Sequence, residues 1–436
     1  MANGFIYLRK LDDMNKLPLP LLTALLLMTF GCCAQRSAVR NQQAKDKITT
    51  AVISKAEEGQ IEYLPFSAGS RIELSKDYDL KGEAFRVPEG VTLVSKGGVI
   101  KNGTLYGHNT KVTGNESVFR NVEIKGTWDV PAISTSLFKD LSYDNSLRDV
   151  LALSSSDTYN AITIEEGDYY VTASSFGPAL EIPSNTKVIL NGRIYLRPNN
   201  YRGCYVINIK EAENVTIEGS GTIIGDRAAH AGSDGEWGHG ININNSCNVI
   251  IRNVSVRDCW GDCIYIGQHS DSIVVDGCSL SRGRRQGVSI TSGSDIVIRN
   301  CTISDVQGTR PQFAIDVEPN KGESLDNVVI ENVRAVNCYG GFKSWGGAEG
   351  AHIGKVILRN CSVRGASAES PVKFVYGDSL IVEGCDFSTD DKPGISTDVI
   401  KSVIVKDNTF RSTHHTAVKV SRAKVKTVER NTQLKR

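Results

Sequence analysis

From about residue 160 to the C-terminus, short runs rich in Val and Ile alternate with Gly, Asn, Asp and Ser, and no helical periodicity intervenes. Aligned on these runs, the chain gives NVIIRNVSV (248–256), SIVVDGCSL (272–280), DIVIRNCTI (295–303), NVVIENVRA (328–336), KVILRNCSV (355–363), LIVEGCDF (380–387) and SVIVKDNTF (402–410). One position is shared by all of them: Val254, Cys278, Cys301, Val333, Cys361, Cys385 and Asn408, spaced 23 to 32 residues apart. Each unit holds two or three short β-rich runs. Residues 181–224 supply two weaker units, and 159–171 a possible opening one.

A repeat of this length made only of short strands lacks the leucine ladder of leucine-rich repeats and is about half a propeller blade. A coil of three strands and three turns fits it. Coils of this kind stack in parallel about 4.8 Å apart, with the right-handed connection that strand twist favours. The expected fold is therefore all-β: a right-handed parallel β-helix, a three-faced solenoid over 159–436, with a small N-terminal β-region (50–140). Residues 141–158 are expected to form a helical connector or cap, its helix over 142–154 capped by Asp144 or Asn145. The shared Val/Cys position should point inward, its cysteines packing as small buried thiols.

The strands that open successive units are HGINI (239–243), DCIYI (262–266), QGVSI (286–290), FAIDVEPN (313–320) and GFKSW (341–345). Ile241, Ile264, Val288 and Ile315 align and should face the core. Strand alternation then sets Asn242, Tyr265, Ser289 and Asp316 in one outward column, and Asn244, Gly267, Thr291 and Glu318 in a second. On this face the chain gathers carboxylates (Asp262, Asp316, Glu318), bases and amides (His239, Arg284, Arg285, Gln286, Lys343) and aromatics (Trp260, Tyr265, Trp345). The segment 225–240 is long for the repeat and adds His230 and Glu236, as a loop along one wall. Aromatic faces suit pyranose rings, carboxylates suit proton transfer, and arginines suit carboxylate or sulfate groups. Asp262, Asp316 and Glu318 are the candidate catalytic residues; the other ten are candidate substrate contacts. Asp316 and Glu318, two apart on one strand, would stand about 7 Å from each other, as in inverting glycosidases, with Asp262 two rungs away and beyond about 10 Å.

Composition narrows the classes. Hydrophobic residues make up 40 %, charged residues 23 % and the net charge is +1, so a core is available and no concentrated basic field marks a nucleic-acid partner. At the N-terminus, residues 1–13 read as an upstream extension. Lys16, the apolar run Leu17–Phe30 and Gly31-Cys32-Cys33-Ala34-Gln35 then follow the order of an export signal. Either Cys32 is lipidated, as at a bacterial lipobox, or cleavage follows Ala34. In both cases the expected location is exported: periplasmic, cell-surface or secreted. A lipid at Cys32 would be the only membrane attachment, since the apolar run is too short to span a bilayer.

The rungs resemble those of the pectin-lyase-like superfamily, and among its members the polygalacturonase-type family 28 glycoside hydrolases. Gly261-Asp262-Cys263 matches the second half of that family's Asp-Asp-Cys motif, which carries a catalytic role onto Asp262. Gly238-His239-Gly240 stands where Asn-Thr-Asp opens a coil in that family, Gln286-Gly287 where His-Gly stands, and Ala314-Ile315-Asp316 where Arg-Ile-Lys stands. The resemblance implies the fold and a polysaccharide partner; activity on pectin does not follow from it. Three functions stay open: a metal-free glycoside hydrolase acting on an acidic or otherwise substituted polysaccharide through Asp262, Asp316 and Glu318; a polysaccharide lyase or uronate epimerase using Arg284, Arg285 or His239, with Ca²⁺ held by acidic residues; and a non-catalytic glycan-binding β-helix.

Overall fold

The repeat template has a local reason that the backbone makes visible. The residue just before the shared inward position is Asn253, Gly277, Asn300, Asn332, Asn360, Gly384 or Asp407, and every one has a left-handed backbone, with φ between 52° and 66°. Each coil turns a corner there. Only Gly, Asn and Asp occupy such a conformation at low cost, which is why the template reads Asn/Gly/Asp followed by Val/Cys.

The structure is a computed structural model and describes residues 61–435, apart from Asn115, Ser156, Asp157, Ser367, Ala368, Glu369 and His415. The export signal and Cys32 lie outside the described residues. From Glu62 onward the chain forms one unit. Its coils have three faces. One holds Gly203–Lys210, Trp237–Asn244, Ile264–Gly267, Val288–Ile290, Phe313–Val317 and Gly340–Trp345; a second holds Glu213–Glu218, Cys247–Arg252, Ser270–Asp276, Gly293–Arg299 and Ser324–Glu331. The third is an 11-stranded sheet from Asp168–Val171 to Thr432–Leu434. Successive strands pair in parallel, Ile241 on Ile264, Ile264 on Val288, Val288 on Ile315 and Ile315 on Phe342. All five are fully buried, and each aliphatic member contributes about 2 kcal/mol of hydrophobic stabilisation.

The nine cysteines of the described residues are free and buried, among them Cys278, Cys301, Cys361 and Cys385 of the inward column. Small polar groups bridge the column: Cys361 N–H donates to Cys385 Sγ at 3.3 Å and Cys385 N–H to Asn408 Oδ1 at 2.9 Å. Asn408 thus continues the stack by accepting the amide below it.

Two expectations about the N-terminal part change. Strands between Glu62 and Asp129 also stack in parallel, for example Arg71–Leu74 on Thr92–Ser95, and Ile133–Ser134 pairs in parallel with Asn160–Ile164. The small β-region is therefore built by the same coiling as the rest. The helix spans only Ser146–Leu151, burying Leu147, Val150 and Leu151. Asn145 occupies its N-cap position but makes no side-chain cap; its amide is bonded to Thr172 instead, and Asp144 pairs with Arg197.

Candidate active site

The two outward columns form in the expected register. Asn242, Tyr265, Ser289, Asp316 and Lys343 occupy consecutive rungs of one column. In the second, Asn244 pairs with Gly267, and the amides of Thr291 and Glu318 donate to the preceding rung in the same register. They line a cleft of about 240 Å³ whose floor carries Tyr265, Arg285, Ser289, Thr291, Asp316 and Glu318, with Trp237 and Trp345 beside it.

Asp316 and Glu318 converge rather than standing apart. Lys343 Nζ lies 3.4 Å from Asp316 Oδ2 and 2.6 Å from Glu318 Oε2, so these oxygens are within about 6 Å of each other. The shared ammonium draws the side chains closer than the about 7 Å expected from strand spacing, and the case for inversion falls with it. Burial above all, together with the Glu318 charge, pushes Asp316 well above the usual carboxylate range against the pull of Lys343. Burial pushes Glu318 the same way, but neighbouring Asp316 and the Lys343 charge outweigh it and hold Glu318 low. The two carboxyls thus titrate as a pair whose members are pushed in opposite directions. Gln286 positions the buried partner, its Nε2 donating to Asp316 Oδ2 at 2.7 Å while its Oε1 accepts Phe313 N–H. Asp316 Oδ1 is buried without a partner.

Arg285 is the hub of the second group. It lies 3.1 Å from Glu236 Oε2 and 3.3 Å from Asp262 Oδ2, and reaches Ser289 Oγ at 3.2 Å, beside Asp316 in the column. Burial works against its charge, and Asp262 and Glu236 more than restore it. Asp262, expected to be catalytic from the Gly-Asp-Cys match, is fully buried beneath this guanidinium. His239 is buried too, stacked between Tyr205 and Tyr265 at ring distances of 5.7 and 4.9 Å, with Asp262 N–H donating to its Nδ1. Burial lowers its pKa to about 4, so at neutral pH the ring is uncharged and closed off from the cleft.

Three expected substrate contacts cluster against the loop. Trp260 lies between His230, 3.9 Å away in a stacked arrangement, and the Arg284 guanidinium, 3.8 Å from its ring centre. Its Nε1–H donates to Asp234 O, Arg284 donates to Gly235 O, and His230 Nδ1 pairs with buried Asp226 at 2.8 Å. Both faces of the indole are thus covered, and the segment 225–240 is anchored as a wall of the groove. Trp260, Arg284 and His230, expected to contact substrate, pack on one another along that wall.

Of the expected residues, the cleft brings together Asp316, Glu318, Tyr265, Arg285 and Trp345, with Lys343, Gln286 and Glu236 directly behind them. It adds Trp237, Ser289, Thr291 and Asn320. Ser289 and Thr291 were legible from the column register, but hydroxyls on a strand carry no chemical signature of their own. Among the described residues no group of three or more His, Cys, Asp or Glu side chains is placed to hold a metal ion.

Residues 188–354 and 326–433 match the family described as right handed beta helix region. A prophage-derived uncharacterized protein YorA of Bacillus subtilis is 29 % identical over 222 residues, which are 44 % of this chain and 37 % of that protein. The chain thus spans little more than a third of that relative. A surface adhesin of Streptococcus pneumoniae, PfbA, superposes with a TM-score of 0.44 at 13 % identity, covering 78 % of this chain and 86 % of the adhesin. The tailspike protein gp49 of Acinetobacter baumannii bacteriophage Fri1, a capsular polysaccharide depolymerase, gives 0.42 at 16 % identity, covering 67 % and 55 %.

Proposed function

The chain belongs to the right-handed β-helix family, and from that premise we propose that it is an exported enzyme that hydrolyses glycosidic bonds of a polysaccharide lying along the groove. The observation that carries this reading is the Asp316–Glu318 couple, one carboxyl pushed above its usual pKa range and the other held low, at the floor of a cleft flanked by tryptophans. Environments that push two carboxyls apart in pKa assign an acid and a base. Asp316 gives its proton to the glycosidic oxygen as that C–O bond breaks and a Glu318 oxygen bonds to the anomeric carbon. Water then adds to the anomeric carbon as the bond to Glu318 breaks, and its proton passes to Asp316, restoring both carboxyls. Lys343 holds Glu318 ionised, and Arg285 sets the charge beside the reacting atoms.

The lyase reading needs a base at the cleft. His239 is enclosed by tyrosines, Arg284 is laid on Trp260, and Arg285 is kept charged by two carboxylates, which favours hydrolysis over elimination. A glycan panel read by reducing ends and by ultraviolet absorbance tests this. Hydrolysis predicts new reducing ends without unsaturated ends, lost in Asp316→Asn and Glu318→Gln. Unsaturated products, or full activity in both variants, would overturn it.

A further inference from the structure

Phe176 has a left-handed backbone, with φ 54°. That conformation suits Gly, Asn or Asp and strains a bulky residue. Core packing does not offset the strain, because Phe176 is 51 % exposed. Its ring turns instead toward a neighbour two rungs on. Phe176 N–H donates to Gly203 O at 2.8 Å, Gly203 pairs with Trp237, and the Phe176 and Trp237 rings lie 5.9 Å apart, inclined at 44°. Gly203 makes the contact possible: a Cβ there would sit 2.8 Å from both Phe176 Cε1 and Trp237 Cβ.

The pair extends the cleft. Trp237 is exposed on its wall, whereas Phe176 lies five rungs from Asp316, about 24 Å along the solenoid at the spacing of paired strands. The surface added by the two rings is uncharged. Arg202 approaches Trp237, its Cζ 5.8 Å from the ring centre, but its charge is engaged by Asp234 at 3.0 Å. Exposed ring faces of this kind suit the apolar face of a pyranose and call for no anionic group on it.

We propose that Phe176 and Trp237 form a distal subsite that holds one pyranose unit of the bound chain by its apolar face, whatever charge the chain carries elsewhere. The inference rests on the glycan-cleaving reading and deepens it. A chain gains this contact only if it reaches from the couple across five rungs, so long chains are favoured over short fragments.

Affinity electrophoresis of the full chain through gels containing hydroxyethyl cellulose, xyloglucan, galactomannan or polygalacturonate tests it, with Phe176→Asn and Phe176→Tyr beside wild type. Asn suits the left-handed backbone, so Phe176→Asn is expected to hold or raise the melting temperature while weakening retardation by at least one polymer about tenfold. Phe176→Tyr keeps the ring and should keep the retardation. The octasaccharide of that polymer should release wild type at a lower concentration than its trisaccharide does, and the difference should shrink in Phe176→Asn. Retardation of Phe176→Asn equal to wild type, its loss in Phe176→Tyr as well, equal release by both fragments, or no retardation by any of the polymers overturns the subsite. A wild-type dimer that Phe176→Asn dissociates, seen by sedimentation, would assign the two rings to a second copy of the chain and overturn it too. The hydrolase reading fails separately, by absence of cleavage across the glycan panel, since neither variant touches the couple.

Discussion

Lys343 Nζ lies 2.6 Å from Glu318 Oε2, the closest ionic contact in the cleft, and 3.4 Å from Asp316 Oδ2, so one cation faces both carboxyls of the couple. The lysine lowers both members, so its removal should raise both. Lys343→Met is therefore expected to move the acid and alkaline limits of activity together toward higher pH, measured as kcat/KM against pH. A variant whose limits stay in place would remove Lys343 from the mechanism.

Trp237 and Trp260 are expected to behave differently although both flank the groove. Trp237 is exposed at the cleft, so Trp237→Ala should raise KM for a long glycan with little change in melting temperature. Trp260 is packed between His230 and Arg284. Trp260→Ala should cost about 2 kcal/mol of stability and open the segment 225–240 to limited proteolysis.

That distinction marks the limit of what the sequence carried. The solenoid was legible because the corner residues and the inward column recur at fixed offsets, so Asn253 and Cys278 betray their roles by repetition. The outward columns followed from alternation. What repetition cannot supply is where a long side chain goes: Arg284 and Arg285 are adjacent, yet one lies on an indole and the other on Asp262. Burial of Asp262 and His239 depends on that choice, and so does the convergence of Asp316 and Glu318 on Lys343.

His239 should give stability a distinctive pH dependence. Its folded pKa of about 4 lies below its unfolded value near 6.5, so the unfolded chain binds the proton first as pH falls. Its contribution is complete above pH 6.5 and is lost between there and pH 4, roughly 3 kcal/mol in all. Thermal melts of wild type and His239→Phe across this window should converge as pH drops; parallel curves would contradict the assignment.

The buried thiols should be silent. With nine free cysteines in the core, reductant is expected to leave the melting temperature unchanged, and a thiol reagent should react with these residues only on unfolding. A drop in melting temperature with reductant would reveal a disulfide that the structure does not contain among its described residues.

The most direct test of the acid–base couple is the pH dependence of kcat/KM on a cleaved glycan, for wild type and Glu318→Gln side by side. The account predicts a bell for wild type, its acid limb below the ordinary glutamate range and its alkaline limb above the ordinary aspartate range, and a residual activity in Glu318→Gln that has lost the acid limb. An acid limb that survives unchanged in Glu318→Gln would contradict it.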